Sequence, residues 1–235
     1  MTAAVFTPDG IVISTYKADT FYQALRRGEE DYIEKINIIG HPHVITFWDR
    51  YALVFHQADE FSYKYEIKPL IEGVMDKWAG ADIPPIYELM PYIKKQIVDH
   101  GIDIMGIMGG YSRTPEGALD PYVYQILGND VRRININESG ELLFSCTFLE
   151  KETVFGGLLR DVQVKNGDNW EALPPVQLRC DLFSIDKAKE TVRLILATNY
   201  AISNINQSNN TKPETETIII SPNKIETEQI CQTSC

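Results

Sequence analysis

The spacing of apolar residues changes several times along this chain, and those changes constrain the fold more than any single motif does. TAAVF and IVIST predict a β-hairpin around the turn PDG, and KINIIG with HVITFWD predicts a second pair of strands. From Tyr51 to Trp78, and again after Asp82, apolar residues recur at helical spacing. We therefore expect two helices here, the first kinked or divided by Pro69 and the second ended by Gly101.

Strands return after these helices. IDIMGIMGGY predicts a central strand covered on both faces, PYVYQIL, VRRINI and ELLFSCTF predict further strands, and VFGGLLRDV predicts a short helix. A long helix should run from Ser184, its N-terminal cap, to Ser203, followed by the linker QSNNTKPETE. The class is α+β. We expect one domain over residues 1–204 and a polar C-terminal extension over 205–235, with a short strand at 215–221.

The charge balance excludes several kinds of partner. The sequence has 33 acidic and 22 basic residues, a formal net charge of −11. Such a surface repels phosphate backbones and anionic membrane surfaces, so we expect no nucleic acid and no membrane as partner. The start lacks the basic segment of a signal peptide, and no apolar run is long enough to span a bilayer. A cytoplasmic location is therefore predicted.

No pattern in the sequence indicates a metal or cofactor. Cys146 and Cys180 lie in apolar stretches typical of reduced, buried thiols, whereas Cys231 and Cys235 are spaced more widely than a CxxC pair. The segment HPH at 41–43 has two histidines but no carboxylate or cysteine in the same loop to complete a ligand set. The glycines of GIMGGY lack the Lys-Ser/Thr that follows a phosphate loop.

The order of these blocks, with four local patterns, resembles the proteasome β-subunit family of N-terminal-nucleophile (Ntn) hydrolases. The patterns are a threonine, Thr2, before a D-G hairpin, a lysine, Lys35, heading KINIIG, the segment GIMGGYSRTPEGALDPYVYQI, and the long helix followed by III. The resemblance spans roughly residues 2–221. It implies a four-layer αββα sandwich, in which two antiparallel sheets lie between helical layers, and a homo-oligomeric assembly.

The resemblance also implies a chemistry. A hydroxyl is a weak nucleophile unless a base takes its proton, and a free N-terminal amine with a pKa near neutrality can do so. With Met1 removed, Thr2 would be both nucleophile and base in the hydrolysis of peptide or small amide bonds. Lys35, as a nearby cation, would lower the pKa of that amine. Asp19 is the candidate for the family's aspartate after the second strand.

Three residues differ from the family pattern and support an alternative. Tyr16 stands where the family has its aspartate, three residues before Asp19. Phe47 and Trp48 stand where a glycine-rich turn supplies an oxyanion-hole amide. The alternative is a non-catalytic homologue of the same fold that serves assembly or binding, and a third possibility is an unrelated α+β binding domain.

Overall fold

The computed structural model describes residues 2–16, 36–37, 44–48, 50–56, 63–82, 84–149, 163–166, 169–172, 178–203 and 215–230. The strands are β1 Thr2–Thr7, β2 Gly10–Tyr16, β3 Ile36–Asn37, β4 Val44–Phe47, β5 Tyr51–His56, β6 Met105–Arg113, β7 Leu119–Leu127, β8 Asp130–Arg133, β9 Ser145–Leu149, β10 Gln163–Asn166, β11 Asn169–Ala172, β12 Thr215–Ser221 and β13 Lys224–Ile230. The helices are α1 Lys68–Lys77, α2 Ile86–His100 and α3 Ile185–Ser203. A π-helical turn, Tyr63–Ile67, precedes α1, and a 3-10 turn, Cys180–Leu182, precedes α3.

Two large antiparallel sheets account for most of these strands. The first sheet has the order β13-β12-β2-β1-β9, and the second has the order β3-β4-β5-β6-β7-β8. Among the strands that the structure describes, β10 and β11 pair only with each other. The α+β class predicted from the sequence is confirmed.

Buried apolar side chains in the described residues form three clusters. One joins the second sheet to α1 and α2, through residues such as Leu53, Val74 and Ile93. One lies between side chains of the two sheets, among them Ile13, Val54 and Ile218. The third joins the first sheet to α3, and its members include Val5, Val12, Cys180, Val192 and Ile195. Each sheet therefore has apolar side chains buried on both of its faces.

Most of the locally patterned elements appear where the sequence predicts them. The hairpin β1–β2 turns at Pro8 and Asp9, and β3 pairs with β4. Gly101 ends α2 with a left-handed φ of 63°. The Ser184 hydroxyl accepts a hydrogen bond from the Lys187 amide at 3.3 Å, as expected of an N-terminal cap. The strand predicted at 215–221 is β12, and β13 continues the first sheet beyond it.

One prediction around the helices is wrong. Residues 51–56, predicted as the start of a helix, form strand β5, which is buried throughout and pairs with β4 and β6. A continuous apolar run of this length is compatible with a buried strand as well as with a buried helix, and pairing on both edges selects the strand. The helical stretch changes type just before Pro69: the π-helical turn ends at Ile67, and α1 begins at Lys68 with Pro69 in its first turn, where a missing amide hydrogen is tolerated.

Two further predictions concern other segments. The linker prediction for QSNNTKPETE is wrong at its end, since Thr215 and Glu216 are buried residues of β12. The short helix predicted for VFGGLLRDV, residues 154–162, lies outside the described residues. No helix in the described part of the chain is long and apolar enough to cross a membrane.

Candidate functional site

Thr2 is the first residue of β1, and its side chain is fully buried. Its Oγ1 atom lies 2.9 Å from Oγ1 of Thr15, the residue directly opposite it on β2. Either hydroxyl can donate this hydrogen bond. The bond restricts the Thr2 side chain to a rotamer in which its oxygen points along the sheet toward β2.

The strand register extends this pair into a row of three polar residues. Thr15 is opposite Thr2 on one side and Glu216 of β12 on the other. Directly opposite residues of neighbouring antiparallel strands place their side chains on the same face of a sheet. We call Thr2, Thr15 and Glu216 the polar row, and all three are buried, with Glu216 only 2% exposed.

The face that carries the polar row is the one that meets the second sheet. Side chains alternate between faces along a strand, so Thr2 shares a face with Ala4, and Glu216 shares one with Ile218. Ala4 and Ile218 belong to the apolar cluster between the sheets. The polar row therefore lies at one end of an interface whose largest cluster is built from apolar side chains.

The second sheet also places polar residues in this interface. Gln125 of β7 donates a hydrogen bond from Nε2 to Oγ1 of Thr147 at 3.4 Å, and Thr147 lies opposite Ala4. His56 lies two residues beyond Val54, on the face of β5 that meets the first sheet, and is 6% exposed. A histidine and a glutamine of the second sheet thus lie on the face that meets the first sheet.

Burying polar groups here requires compensation. A carboxylate such as that of Glu216 is rarely buried without a partner, because removing its charge from water costs several kcal/mol. A buried hydroxyl without a hydrogen bond costs about 1–3 kcal/mol. Polar residues at buried positions where apolar ones would pack equally well are therefore candidates for a functional role.

The other two predicted site residues, Lys35 and Asp19, lie outside the described residues. The described chain resumes directly after Lys35 with Ile36, which pairs with Phe47 in the second sheet, whereas Thr2 belongs to the first sheet. The grouping of Thr2, Lys35 and Asp19 in one site stays a prediction.

Tyr16, which stands where the family has an aspartate, joins β2 to α3. Its hydroxyl donates a hydrogen bond to the carbonyl oxygen of Leu196. Its ring meets that of Tyr200 edge to face, with the centroids 6.2 Å apart. It belongs to the cluster on the α3 side of the first sheet, the face opposite the polar row.

Phe47 and Trp48 also have structural contacts. Phe47 is 1% exposed in the cluster against α1 and α2, and its ring centroid lies 5.8 Å from that of Trp48. Trp48 packs edge to face on Trp78 and has a φ of 51°. Positive φ is uncommon for a bulky residue and favours glycine, so the backbone here keeps a glycine-like conformation although the residue is tryptophan.

The sequence predicts Thr2 as a site residue, and the structure adds Thr15, Glu216 and His56 as candidates that the sequence does not single out. Thr15 and His56 lie at or next to the ends of apolar strands, and nothing in the sequence distinguishes them from ordinary strand ends. For Glu216, one pattern indicates burial. It precedes the apolar Ile218 by two residues, and strand alternation places residues two apart on the same face of the sheet. Among the described residues, no group of three or more His, Cys, Asp or Glu side chains is arranged to hold a metal ion.

The fold is similar to that of two solved structures. One is Anbu (ancestral beta-subunit) from Yersinia bercovieri, with a TM-score of 0.56 and 10% sequence identity over 98% of this chain and 86% of that one. The other is a Gly-1 mutant of Anbu from Hyphomicrobium sp. strain MC1, with a TM-score of 0.58 and 10% identity over 99% and 88%. No protein-family model and no curated protein matches the sequence. The likeness supports a proteasome-like fold and, at this identity, concerns the fold alone.

Proposed function

We propose that this chain is a proteasome-like threonine hydrolase that cleaves peptide or small amide bonds, with Thr2 as its nucleophile. The observation that carries the proposal is the buried polar row of Thr2, Thr15 and Glu216 at the end of an apolar interface. Apolar residues at these positions would extend the core, whereas the row places two hydroxyls and a carboxylate there, which are groups that a hydrolytic site can use.

The proposal includes a four-layer αββα sandwich. Its support is the set of three apolar clusters, one between α3 and the first sheet, one between the sheets, and one between the second sheet and the helices α1 and α2. In such an arrangement the interface between the sheets opens at its ends. The polar row lies at one of these ends.

In the proposed mechanism, Thr2 must become the first residue. While Met1 is attached, the Thr2 nitrogen is an amide and accepts no proton. Once Met1 is removed, the free amine takes the proton of the Thr2 hydroxyl as Oγ1 attacks the substrate carbonyl carbon. The tetrahedral intermediate collapses to an ester on Oγ1, and the leaving amine departs with the proton. Water then attacks the ester, with the amine again as base, and releases the acid and the hydroxyl.

The supporting residues have separate parts in this proposal. Thr15 fixes the Thr2 rotamer through the 2.9 Å contact between their hydroxyls. Lys35, as a cation near the amine, would lower the pKa of that amine and keep it neutral and basic at physiological pH. Asp19 would pair with Lys35 and fix its position.

N-terminal mass analysis followed by peptide hydrolysis tests this function. We expect the native chain to begin at Thr2, the wild type to hydrolyse fluorogenic peptide amides, and Thr2→Ala to lose that activity by at least about a hundredfold. Thr2→Ser should retain part of it. The matched control is Thr227→Ala, which changes an exposed threonine of β13. Retention of Met1, or equal rates for wild type and Thr2→Ala, contradicts the proposal.

The structural contacts of Tyr16, Phe47 and Trp48 favour a second candidate, a non-catalytic homologue that serves assembly or binding. In that case the positions at which the family has catalytic groups would serve packing alone. It predicts a folded chain with no Thr2-dependent hydrolysis. Both candidates include a cytoplasmic homo-oligomer, which native mass spectrometry would detect as a defined multiple of the 26.7 kDa chain.

A further inference from the structure

A second polar feature lies at the opposite end of the sheets from Thr2. A cavity of about 250 Å³ opens where the turn between β4 and β5, the turn between β12 and β13, and the end of β6 come together. Its described lining consists of Arg50, Tyr111, Arg113, Leu119, Ser221, Pro222, Asn223, Lys224 and Ile225. Thr2 and Thr7 are separated by roughly 17 Å along β1 at the usual rise per strand residue. The cavity is therefore remote from the polar row.

The charge of this lining is opposite to that of the protein. The nine residues include three cations, Arg50, Arg113 and Lys224, and no carboxylate, although acidic residues outnumber basic ones by 33 to 22 in the sequence. Lys224 is paired with Glu226 at 2.7 Å, and Arg113 donates to the carbonyl oxygen of Gly117 at 2.9 Å. Arg50 is exposed and makes no ion pair with any described residue. Its guanidinium charge is therefore available to an anion.

Tyr111 supplies an independent indication. Its side chain is only 5% exposed, and its hydroxyl has no hydrogen-bond partner within the described part of the chain. Burial, with a smaller contribution from the charge of Asp9, raises the pKa of Tyr111 to about 12, so the group is a hydrogen-bond donor at neutral pH. A buried hydroxyl without a partner is unfavourable in the free protein. Because Tyr111 is one of the residues that line the cavity, a ligand acceptor that reaches its hydroxyl would satisfy it.

We propose that this cavity binds a small oxyanion with more than one negative charge, a phosphate group being the simplest case, held by Arg50, Arg113, Lys224 and the Tyr111 hydroxyl. Guanidinium groups bind phosphate oxygens through two parallel hydrogen bonds, which suits a site with two arginines. Lys224 is already paired with Glu226, so a ligand with a single negative charge would still leave one of the two arginines without a counter-charge. The volume lies below the usual range for drug-sized ligands, which favours a free phosphate or a small phosphate ester. The proposal is independent of any activity of Thr2.

Isothermal titration of the full chain with inorganic phosphate and with glycerol phosphate, at fixed ionic strength set with chloride, tests this site. We expect saturable binding, weakened about tenfold or more in Arg50→Gln and in Arg113→Gln, as is typical for the loss of a charged hydrogen bond. Lys95→Gln, which removes one positive charge from an exposed position on α2, is the matched control and should bind as the wild type does. Binding of both probes identifies the phosphate group itself as the ligand, and binding of glycerol phosphate alone identifies an ester.

Tyr111→Phe separates a ligand role from a structural one. Removing an unpartnered buried hydroxyl should leave the free protein at least as stable as the wild type, yet weaken phosphate binding several-fold. Absence of saturable binding for both probes, or unchanged affinity in both arginine variants, overturns the proposal. If Tyr111→Phe loses stability but binds phosphate with unchanged affinity, the Tyr111 hydroxyl has a structural role and does not contact the ligand.

Discussion

The hydroxyl oxygens of Thr2 and Thr15 lie 2.9 Å apart across strands β1 and β2, in a position where neither side chain is more than 4% exposed. The Thr2 hydroxyl makes no other hydrogen bond with any described residue. The position of its hydroxyl therefore depends on a residue that lies thirteen positions away in sequence and directly opposite it in the sheet.

This relationship predicts a coupled effect on stability. Thr15→Val keeps the shape of the side chain but leaves the Thr2 hydroxyl buried without its partner, which should lower the free energy of unfolding by about 1–3 kcal/mol. Thr2→Val in addition to Thr15→Val removes both polar groups, so the double variant should lose less than the sum of the single losses. Urea unfolding of the wild type, Thr2→Val, Thr15→Val and the double variant measures this coupling. If the loss of unfolding free energy in the double variant equals the sum of the two single losses, the hydroxyl contact contributes nothing to stability.

Tyr16→Phe should affect the attachment of α3 but not hydrolysis. The variant loses the hydrogen bond to the Leu196 carbonyl and keeps the edge-to-face contact with Tyr200. We expect about 1 kcal/mol less stability in urea unfolding and an unchanged rate on fluorogenic peptide amides. A selective loss of rate without loss of stability would instead place Tyr16 in the catalytic site.

Two neighbouring glycines of β6 should differ in their tolerance of alanine. A methyl group on Gly109 would meet the flexible ends of Ile220 and Ile11 at 3.1 and 3.3 Å, so Gly109→Ala should cost about 1 kcal/mol or less. On Gly110 it would overlap the Tyr51 ring and lie 2.8 Å from the Arg50 carbonyl oxygen. Gly110→Ala should cost about 3 kcal/mol in thermal or urea unfolding, and equal losses in the two variants would contradict this.

Cys180 should make the protein less stable in alkali. Burial raises the pKa of its thiol from 9.0 to about 12, with smaller contributions from Cys146 and Asp181. As the pH rises from about 9 toward 12, the unfolded chain releases this proton while the folded chain keeps it, so the free energy of unfolding falls. Urea unfolding at about pH 8 and about pH 10 measures the slope.

In Cys180→Ala the decrease between these two pH values should be smaller than in the wild type, although alanine lowers stability at both because it leaves a cavity in the α3 cluster. The native thiol should also react slowly with alkylating reagents at neutral pH. Rapid labelling of Cys180 under native conditions would show that it is accessible to reagent and ionises more easily than its burial implies.

Local patterns were sufficient for the elements whose partners lie close in sequence. The turn PDG with its apolar flanks predicted the hairpin β1–β2, and the capping serine with a long amphipathic run predicted α3 nearly to the residue. The resemblance added the proteasome-like fold, which the likeness to the two Anbu structures supports. For the candidate site, the sequence predicts Thr2, Lys35 and Asp19, and all three stay predictions.

Apolar periodicity by itself determined which segments of this chain are amphipathic or fully apolar, because spacing along a strand or helix is a local property. Only the tertiary structure decided what covers those faces. Residues 51–56 became a strand because β4 and β6 pair with both of its edges. Glu216 became buried because β12 pairs with β2, about 200 residues earlier in the chain, and brings the carboxylate beside Thr15. Pairing between such distant segments depends on the packing of the whole chain, so no local pattern encodes the polar row.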